Sequence, residues 1–303
     1  MTIEYKPGEL IADRYQVQRM LGRGGMGVVY LVVDTLTQQR LALKTLLPQY
    51  ITHEYAVKRF MREVNVVRQL NHPCIVKIHE AQQAGSLLYY TMDYVEGKSL
   101  HSLIRHRGRL GLGSTVRILS LLCHALEHAH QHTIHRDLSP DNVMVLADGS
   151  IKLLDFGLAK LTNDESGLTR VGISLGKLNY MAPEQRANAK EVDHRADIYS
   201  LGVMFFQMLS GQLPKINQRL TDLVPNLPTE CDQLVEKAMA AAPDARFADA
   251  QELRLALAKA YDVGKAMVPP KLAPQVAEPA LALTSSPGFW ERLKLWLRWP
   301  LRK

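Results

Sequence analysis

Cysteine is scarce in this chain of 303 residues: Cys74, Cys123 and Cys231 are an odd number, far apart, and show no CxxC spacing. That argues against a disulfide framework or a zinc site and for buried thiols in a reducing compartment. Long apolar runs are also lacking, since none approaches the ~18 residues a membrane span needs. The opening Met1-Thr2-Ile3-Glu4-Tyr5-Lys6 does not show the basic-then-apolar order of a secretion leader. We therefore expect a cytoplasmic protein, with the inner face of the membrane as the one place a lipid contact would occur. A Walker-type GxxxxGKS/T is absent, and so is any internal repeat. Aromatic residues make up only 7%, and all three tryptophans (Trp290, Trp296, Trp299) fall in the last fifteen residues. Those same fifteen carry Arg292, Lys294, Arg298, Arg302 and Lys303 against Glu291, which puts +4 of the net +7 there and leaves +3 for the rest. No basic stripe stands out elsewhere, so a nucleic-acid partner is not expected.

What is present reads as ordinary globular material, 47% hydrophobic and 22% charged. The length allows one two-lobed domain or two small ones. Strand-like stretches cover Tyr15 to Val17, Val28 to Val33 and Leu41 to Leu46, with two more expected over 75–80 and 87–94. Between them, Val57, Phe60, Met61, Val64, Val67 and Leu70 recur at helical spacing over 54–70. After Gly97 the pattern becomes mostly helical, with helices expected over 114–132, 194–210, 229–240 and 248–261. A run of strands followed by a run of helices predicts an α+β fold in two lobes rather than an alternating parallel sheet. Over 263–288, five prolines among alanines describe an extended linker. Beyond it, Phe289, Leu293, Trp296 and Leu297 share a face of a short basic tail (289–303). That tail fits either an interfacial membrane anchor or a helix docked on the protein or a partner.

The chemistry concentrates in His135-Arg136-Asp137-Leu138-Ser139-Pro140-Asp141-Asn142, followed thirteen residues later by Asp155-Phe156-Gly157. An acid, an amide and a second acid are thereby set around one short hairpin. Phosphoryl transfer uses one carboxylate to orient a hydroxyl, and an amide and a carboxylate to hold a hard cation against phosphates. Upstream, Gly22-Arg23-Gly24-Gly25-Met26-Gly27-Val28-Val29 reads GxGxxGxV between two strands. Glycines there let a hairpin tip lie close over phosphates. On the next strand alternation puts Ala42 and Lys44 on one face. Glu63 falls on the core-facing side of the helix, where a carboxylate needs a partner, and Lys44 is the expected one. The cluster His124, His128, His130 and His132 invites a metal reading. It lacks convergent carboxylates or cysteines, and a structural role is the preferred expectation.

Taken together these motifs resemble the eukaryotic-like (Hanks-type) bacterial serine/threonine protein kinase family. The resemblance covers about residues 8–262 and implies the bilobal protein kinase fold. A small β-rich N-lobe with one main helix would span about 8–95, and a larger, mostly helical C-lobe about 97–262. It implies ATP with Mg2+ or Mn2+ as cofactors and protein substrates as partners. By resemblance, Leu21, Gly22, Gly24, Gly27, Val29, Ala42, Lys44, Glu63, Met92, Asp93, Val95 and Met144 would form the nucleotide site. Met92 would guard the back of the adenine pocket, and Asp93 and Val95 would offer it backbone hydrogen bonds. Asp137 would act as base, with Asn142 and Asp155 as metal ligands. Glu184 would pair with Arg246, Asp197 would anchor the catalytic loop, and Val67, Ile78, His135 and Phe156 would stack as a spine.

Two positions depart from the family pattern. Lysine usually stands two residues after the catalytic aspartate, where this chain has Ser139. Threonine usually follows the glycine before the Tyr-Met-Ala-Pro-Glu run, where Lys177 follows Gly176. The two anomalies reciprocate in residue type, which suggests an exchange: the Lys177 ammonium enters from the opposite wall and the Ser139 hydroxyl replaces the threonine. Lys44, Asp137, Ser139 and Lys177 are thus the catalytic candidates. The alternative reading is an ATP-binding pseudokinase acting as a signalling scaffold. Thr162, Ser166, Thr169 and Ser174 supply hydroxyls for autophosphorylation, with Thr169 and Ser174 favoured.

Overall fold

A computed structural model describes residues 4–24, 27–47, 54–85, 87–156, 175–187 and 192–267. The first half is a sheet of six strands: β1 (Leu10–Ile11), β2 (Tyr15–Gly24), β3 (Gly27–Asp34), β4 (Arg40–Leu46), β5 (Ile78–Ala84) and β6 (Leu87–Asp93). They lie in the order β1-β2-β3-β4-β6-β5, each antiparallel to its neighbours. The helix α1 (Glu54–Gln69) intervenes between β4 and β5.

The period-two pattern of these strands sorts their side chains onto two apolar faces. Val28, Tyr30, Val32, Leu41, Leu43 and Tyr89 pack together on one face with Ile11, Tyr15 and Val17. Ala42, Leu46, Leu88, Tyr90 and Met92 face the other way and join Phe60, Val64 and Val67 of α1. That second cluster continues without a break through Ile75 and Leu153 into the helical half.

The second half opens with β7 (Lys98–Ser99) and α2 (Leu100–Arg107), whose first turn is capped by the Ser99 hydroxyl accepting from Ser102 N at 3.1 Å. Then come α3 (Leu112–Ala129), a 3₁₀ turn over Pro140–Asn142, and the hairpin β8 (Val143–Val145) and β9 (Ile151–Leu153). β7, β8 and β9 form a small antiparallel sheet. The remaining helices are α4 (Leu175–Leu178), α5 (Pro183–Ala187), α6 (Arg195–Ser210), α7 (Leu220–Leu223), α8 (Thr229–Ala238) and α9 (Ala250–Met267). α6 is apolar nearly all round and is buried accordingly. Its Gly202 allows α8 to come close, because a Cβ there would sit 2.8 Å from Ala238 Cβ and 2.9 Å from Met239 Cγ. The two halves are tied by backbone bonds from Val76 N to Leu153 O (3.0 Å) and from Leu153 N to Cys74 O (2.7 Å).

The strands then helices expected from sequence are the observed order, and the expected helices fall on α1, α3, α6, α8 and α9 within a few residues. One boundary is corrected. α9 runs to Met267, so the first residues assigned to an extended linker from 263 are helical; Tyr261 packs on the core and Gly264 is buried there. The activation-loop hydroxyls Thr162, Ser166, Thr169 and Ser174, the loop residues Gly25 and Met26, and the tail 289–303 lie outside the described residues.

Candidate active site

The catalytic loop is built around Asp197, a carboxylate at the start of α6 that is 1% exposed. Its Oδ2 accepts from the backbone N–H of His135 and from His130 Nε2, both at 2.9 Å, and its Oδ1 accepts from Arg136 N at 2.9 Å. Burial would raise its pKa, but the bonds from His130 and the loop backbone outweigh that and hold it below the usual carboxylate range. Arg136 sits at φ 61°, a conformation that bends the loop sharply. His135 is fully buried; Nε2 donates to Leu154 O at 2.9 Å and Nδ1 accepts from Asp137 N at 3.2 Å. Those two bonds fix a neutral tautomer, and burial lowers its pKa further. Its ring packs on Phe156 at 4.7 Å, and Val67, Ile78 and Phe156 are buried as well. His135 is therefore a core group that shapes the loop.

Asp137 and Asn142 meet at the next turn. Asn142 Nδ2 donates to Asp137 O at 2.6 Å and to Asp137 Oδ2 at 3.1 Å. Lys177, carried by α4, places Nζ 2.7 Å from Asp137 Oδ2 and 3.4 Å from Asn142 Oδ1. Burial opposes its charge, yet contact with Asp137 and the fields of Asp155 and Asp141 leave its pKa raised. The Lys177 ammonium thus lies against Asp137, and the Ser139 hydroxyl does not. Ser139 is 1% exposed, and its Oγ has no hydrogen-bond partner among the described residues, so it does not stand in for a threonine hydroxyl on Asp137.

Asp155 follows β9 at φ 47°. Lys44 Nζ lies 2.7 Å from its Oδ2, and the Tyr90 hydroxyl donates to its Oδ1 at 2.8 Å. Burial pushes the carboxyl up, and the ammonium of Lys44 with the bonds from Lys44 and Tyr90 more than reverses this, so its pKa is lowered. The expected Lys44–Glu63 ion pair is corrected here. Among the described residues Lys44 pairs with Asp155 instead, and a half-buried Glu63 on α1 is not its partner. One ammonium on a single strand can serve either acid, and in this arrangement the acid beneath the sheet takes it.

Around this centre the strand register sets the remaining candidates side by side. Gly22 opposes Val29, Val29 opposes Lys44, and Ala42 opposes Met92. Leu21, Val29 and Val95 are partly buried against the same cluster as Ala42 and Met92. Met144 is half-buried on β8. Asp93 donates its N–H to Lys77 O at 3.0 Å, and its Oδ1 accepts from His79 Nε2 at 2.8 Å. A Cβ on Gly27 would fall 1.9 Å from Thr45 O, which only glycine avoids, whereas Gly22 and Gly24 face open space. Glu184 and Arg246 form the expected bridge, two bonds of 2.7 Å each, with Arg246 fully buried.

Lys44, Asp137, Asn142, Asp155 and Lys177, drawn from widely separated positions, converge on one centre. The chain matches the protein kinase domain model over residues 15–255. It belongs to the protein kinase family. Among similar proteins of this kinase family are the probable serine/threonine-protein kinase PknB of Lactococcus lactis, 33% identical over 263 residues, and PrkC of Bacillus subtilis, 31% identical over 274. These alignments cover 81% and 85% of this chain but 42% of each relative, so the chain spans about two fifths of their length. Pkn3 of Myxococcus xanthus is 39% identical over 222 residues, 70% of this chain and 40% of that protein. The crystal structure of the Mycobacterium tuberculosis PknI kinase domain superposes with a TM-score of 0.70 at 31% identity, covering 85% of this chain and all of that one.

The family implies a divalent cation, and the donors present suit a hard one. Among the described residues no three His, Cys, Asp or Glu side chains form a metal site by themselves. One carboxylate and one amide fit a cation that takes its other ligands from phosphates and water. The histidines serve elsewhere. His130 bonds Asp197, while His124 Nδ1 meets His72 Nε2 at 2.7 Å and His72 stacks on His128. Sequence reasoning missed two participants, His72 and Tyr90. Tyr90 had a usable signal, because it lies on the same sheet face as Ala42 and Met92 and directly opposite Lys44.

Proposed function

We propose that the chain is an ATP-dependent serine/threonine protein kinase whose catalytic cation is Lys177. The observation that carries this reading is the contact of 2.7 Å between Lys177 Nζ and Asp137 Oδ2, with Asn142 and the Lys44–Asp155 pair beside it. Asp137 orients a substrate hydroxyl and receives its proton as that oxygen bonds to the γ-phosphorus of ATP. The bond from γ-phosphorus to the bridging oxygen breaks and ADP leaves. Lys177 faces the same carboxylate and offsets the charge on the transferring phosphoryl group, and Lys44 moves from Asp155 to the α- and β-phosphates. Asn142 and Asp155 would hold Mg2+ or Mn2+, whose charge would neutralise the phosphates. Removing one such electrostatic stabiliser costs ~10²–10³ in kcat. Transfer of radiolabelled phosphate by Lys177→Ala should fall by that factor, and Asp137→Asn should abolish it. Near-normal turnover in Lys177→Ala would refute the assignment.

A second reading, an ATP-binding pseudokinase that relays conformation to a partner, draws on Lys44 being bonded to Asp155 and not to Glu63. It predicts nucleotide binding with no Asp137-dependent transfer to any peptide, which the same assay separates. Within the first reading the kinase domain extends over about 8–262 and protein hydroxyls are the substrates. Autophosphorylation would fall on Thr169 or Ser174, and mass spectrometry after incubation with MgATP tests it. The basic tail 289–303 would meet either anionic lipid at the inner face of the membrane or a protein surface. Co-sedimentation of the full chain with phosphatidylserine vesicles distinguishes these.

A further inference from the structure

Tyr90 is a buried tyrosine in the middle of β6, 2% exposed. Its ring lies 6.2 Å from Phe60 of α1 and 5.9 Å from Lys44 Nζ. A phenylalanine would fill that apolar position equally well, and the hydroxyl adds the burden of finding a partner inside the fold. The partner it has is Asp155 Oδ1, at 2.8 Å. A phenol is protonated near neutral pH, and at this distance from a carboxylate oxygen it is the donor. Asp155 itself sits at φ 47°, a positive value uncommon for a residue other than glycine.

Among the described residues the Asp155 carboxylate has two donors, Lys44 on Oδ2 and Tyr90 on Oδ1. Lys44 is the one that phosphates draw away, because a strand ammonium facing a triphosphate exchanges a single charge for several. Tyr90 has no such alternative, since it is fixed in the sheet between Lys44 and the apolar face of α1. We infer that Tyr90 is a positioning residue for Asp155: its hydroxyl clamps one carboxylate oxygen and thereby keeps the other turned to receive a divalent cation after Lys44 has left. Each carboxylate oxygen carries two lone pairs, so the clamped oxygen remains compatible with a bound cation. This rests on the reading of Asp155 as a metal ligand given above.

Outer partners that orient a metal ligand typically contribute 10–100-fold to metal affinity. The test is calorimetric titration of ADP into the full chain, first without metal and then across a series of Mg2+ concentrations. Tyr90→Phe should bind ADP without metal as the wild type does, and should require ~10-fold or more Mg2+ for the metal-enhanced affinity. Tyr89→Phe, which removes a hydroxyl bonded to Gln82 on the other face, should match the wild type in both series. Asp155→Asn should lose the metal effect altogether. If Tyr90→Phe keeps the wild-type Mg2+ dependence while Asp155→Asn loses it, the positioning role is wrong and the metal-ligand reading stands. Equal weakening with and without Mg2+ would make Tyr90 a packing residue and also overturn the inference. If Asp155→Asn retains full Mg2+ dependence, the reading of Asp155 fails, and the role of Tyr90 with it.

Discussion

Asp197 accepts from two consecutive backbone N–H groups that lie at the bottom of the catalytic loop. Asparagine at this position keeps one oxygen and turns an NH2 toward a donor, leaving a buried N–H without a partner. A group stranded in this way costs about 1–3 kcal/mol, so Asp197→Asn should lower unfolding stability by that amount in urea titration, with activity falling more steeply than stability. If Lys177 is the catalytic cation proposed above, Lys177→Thr should lower phosphate transfer by ~10²–10³, and adding Ser139→Lys should restore at least about tenfold if an ammonium from the loop side can reach Asp137, read in the same radiolabel assay. The grouping of Asp137, Asn142 and Asp155 was legible in motif spacing, whereas Lys177 stood out only as a departure from the pattern of the family the chain resembles. The unpartnered Ser139 hydroxyl was not legible, because a serine's identity does not specify where its rotor points once the neighbour has moved in from another segment.

Periodicity located the longer elements because each has an apolar face that only one partner can cover. α2 escaped it, although Ser99 followed by Leu100, Leu103 and Ile104 is a capped, helix-spaced group; eight residues give too short a pattern to stand out. The β7-β8-β9 sheet escaped for the same reason, with strands of two or three residues. Where α6 meets α8, Gly202→Ala should cost about 1–3 kcal/mol through overpacking against Ala238 and Met239, readable as a lower urea midpoint at unchanged slope. Between α1 and α3, burial and then the neighbouring His124 and His128 lower the His72 pKa to about 4, against about 6.5 in an unfolded chain. Within that window the unfolded state binds more protons, so the stability His72 contributes is present above about pH 6.5 and lost as pH falls toward 4. The decrease in Tm between pH 7 and pH 5 should therefore be smaller in His72→Asn, an amide that can still accept from Cys74 N, when followed by calorimetry.

Across the whole molecule, the Glu184–Arg246 bridge ties α5 to the stretch before α9, and Arg246 also donates to Arg195 O, Ala240 O and Ala241 O. Deleting one member of a buried pair costs about 3–5 kcal/mol. Arg246→Ala should consequently lower Tm by on the order of 10 °C in scanning calorimetry. The resemblance of the Ala-Pro-Glu and Asp197 runs to the kinase family implied this pair and the Asp197 anchor, which residue type alone would not have singled out. Which acid Lys44 would hold was not specified, because that depends on how α1 is placed against the sheet and not on the residue types alone. The cation that reaches Asp137 belongs to α4, a short distance before Glu184, and not to the loop that carries the aspartate. Any shift of that stretch would therefore change the field at Asp137 directly, so the electrostatics of the aspartate are tied to the position of a segment forty residues away in sequence.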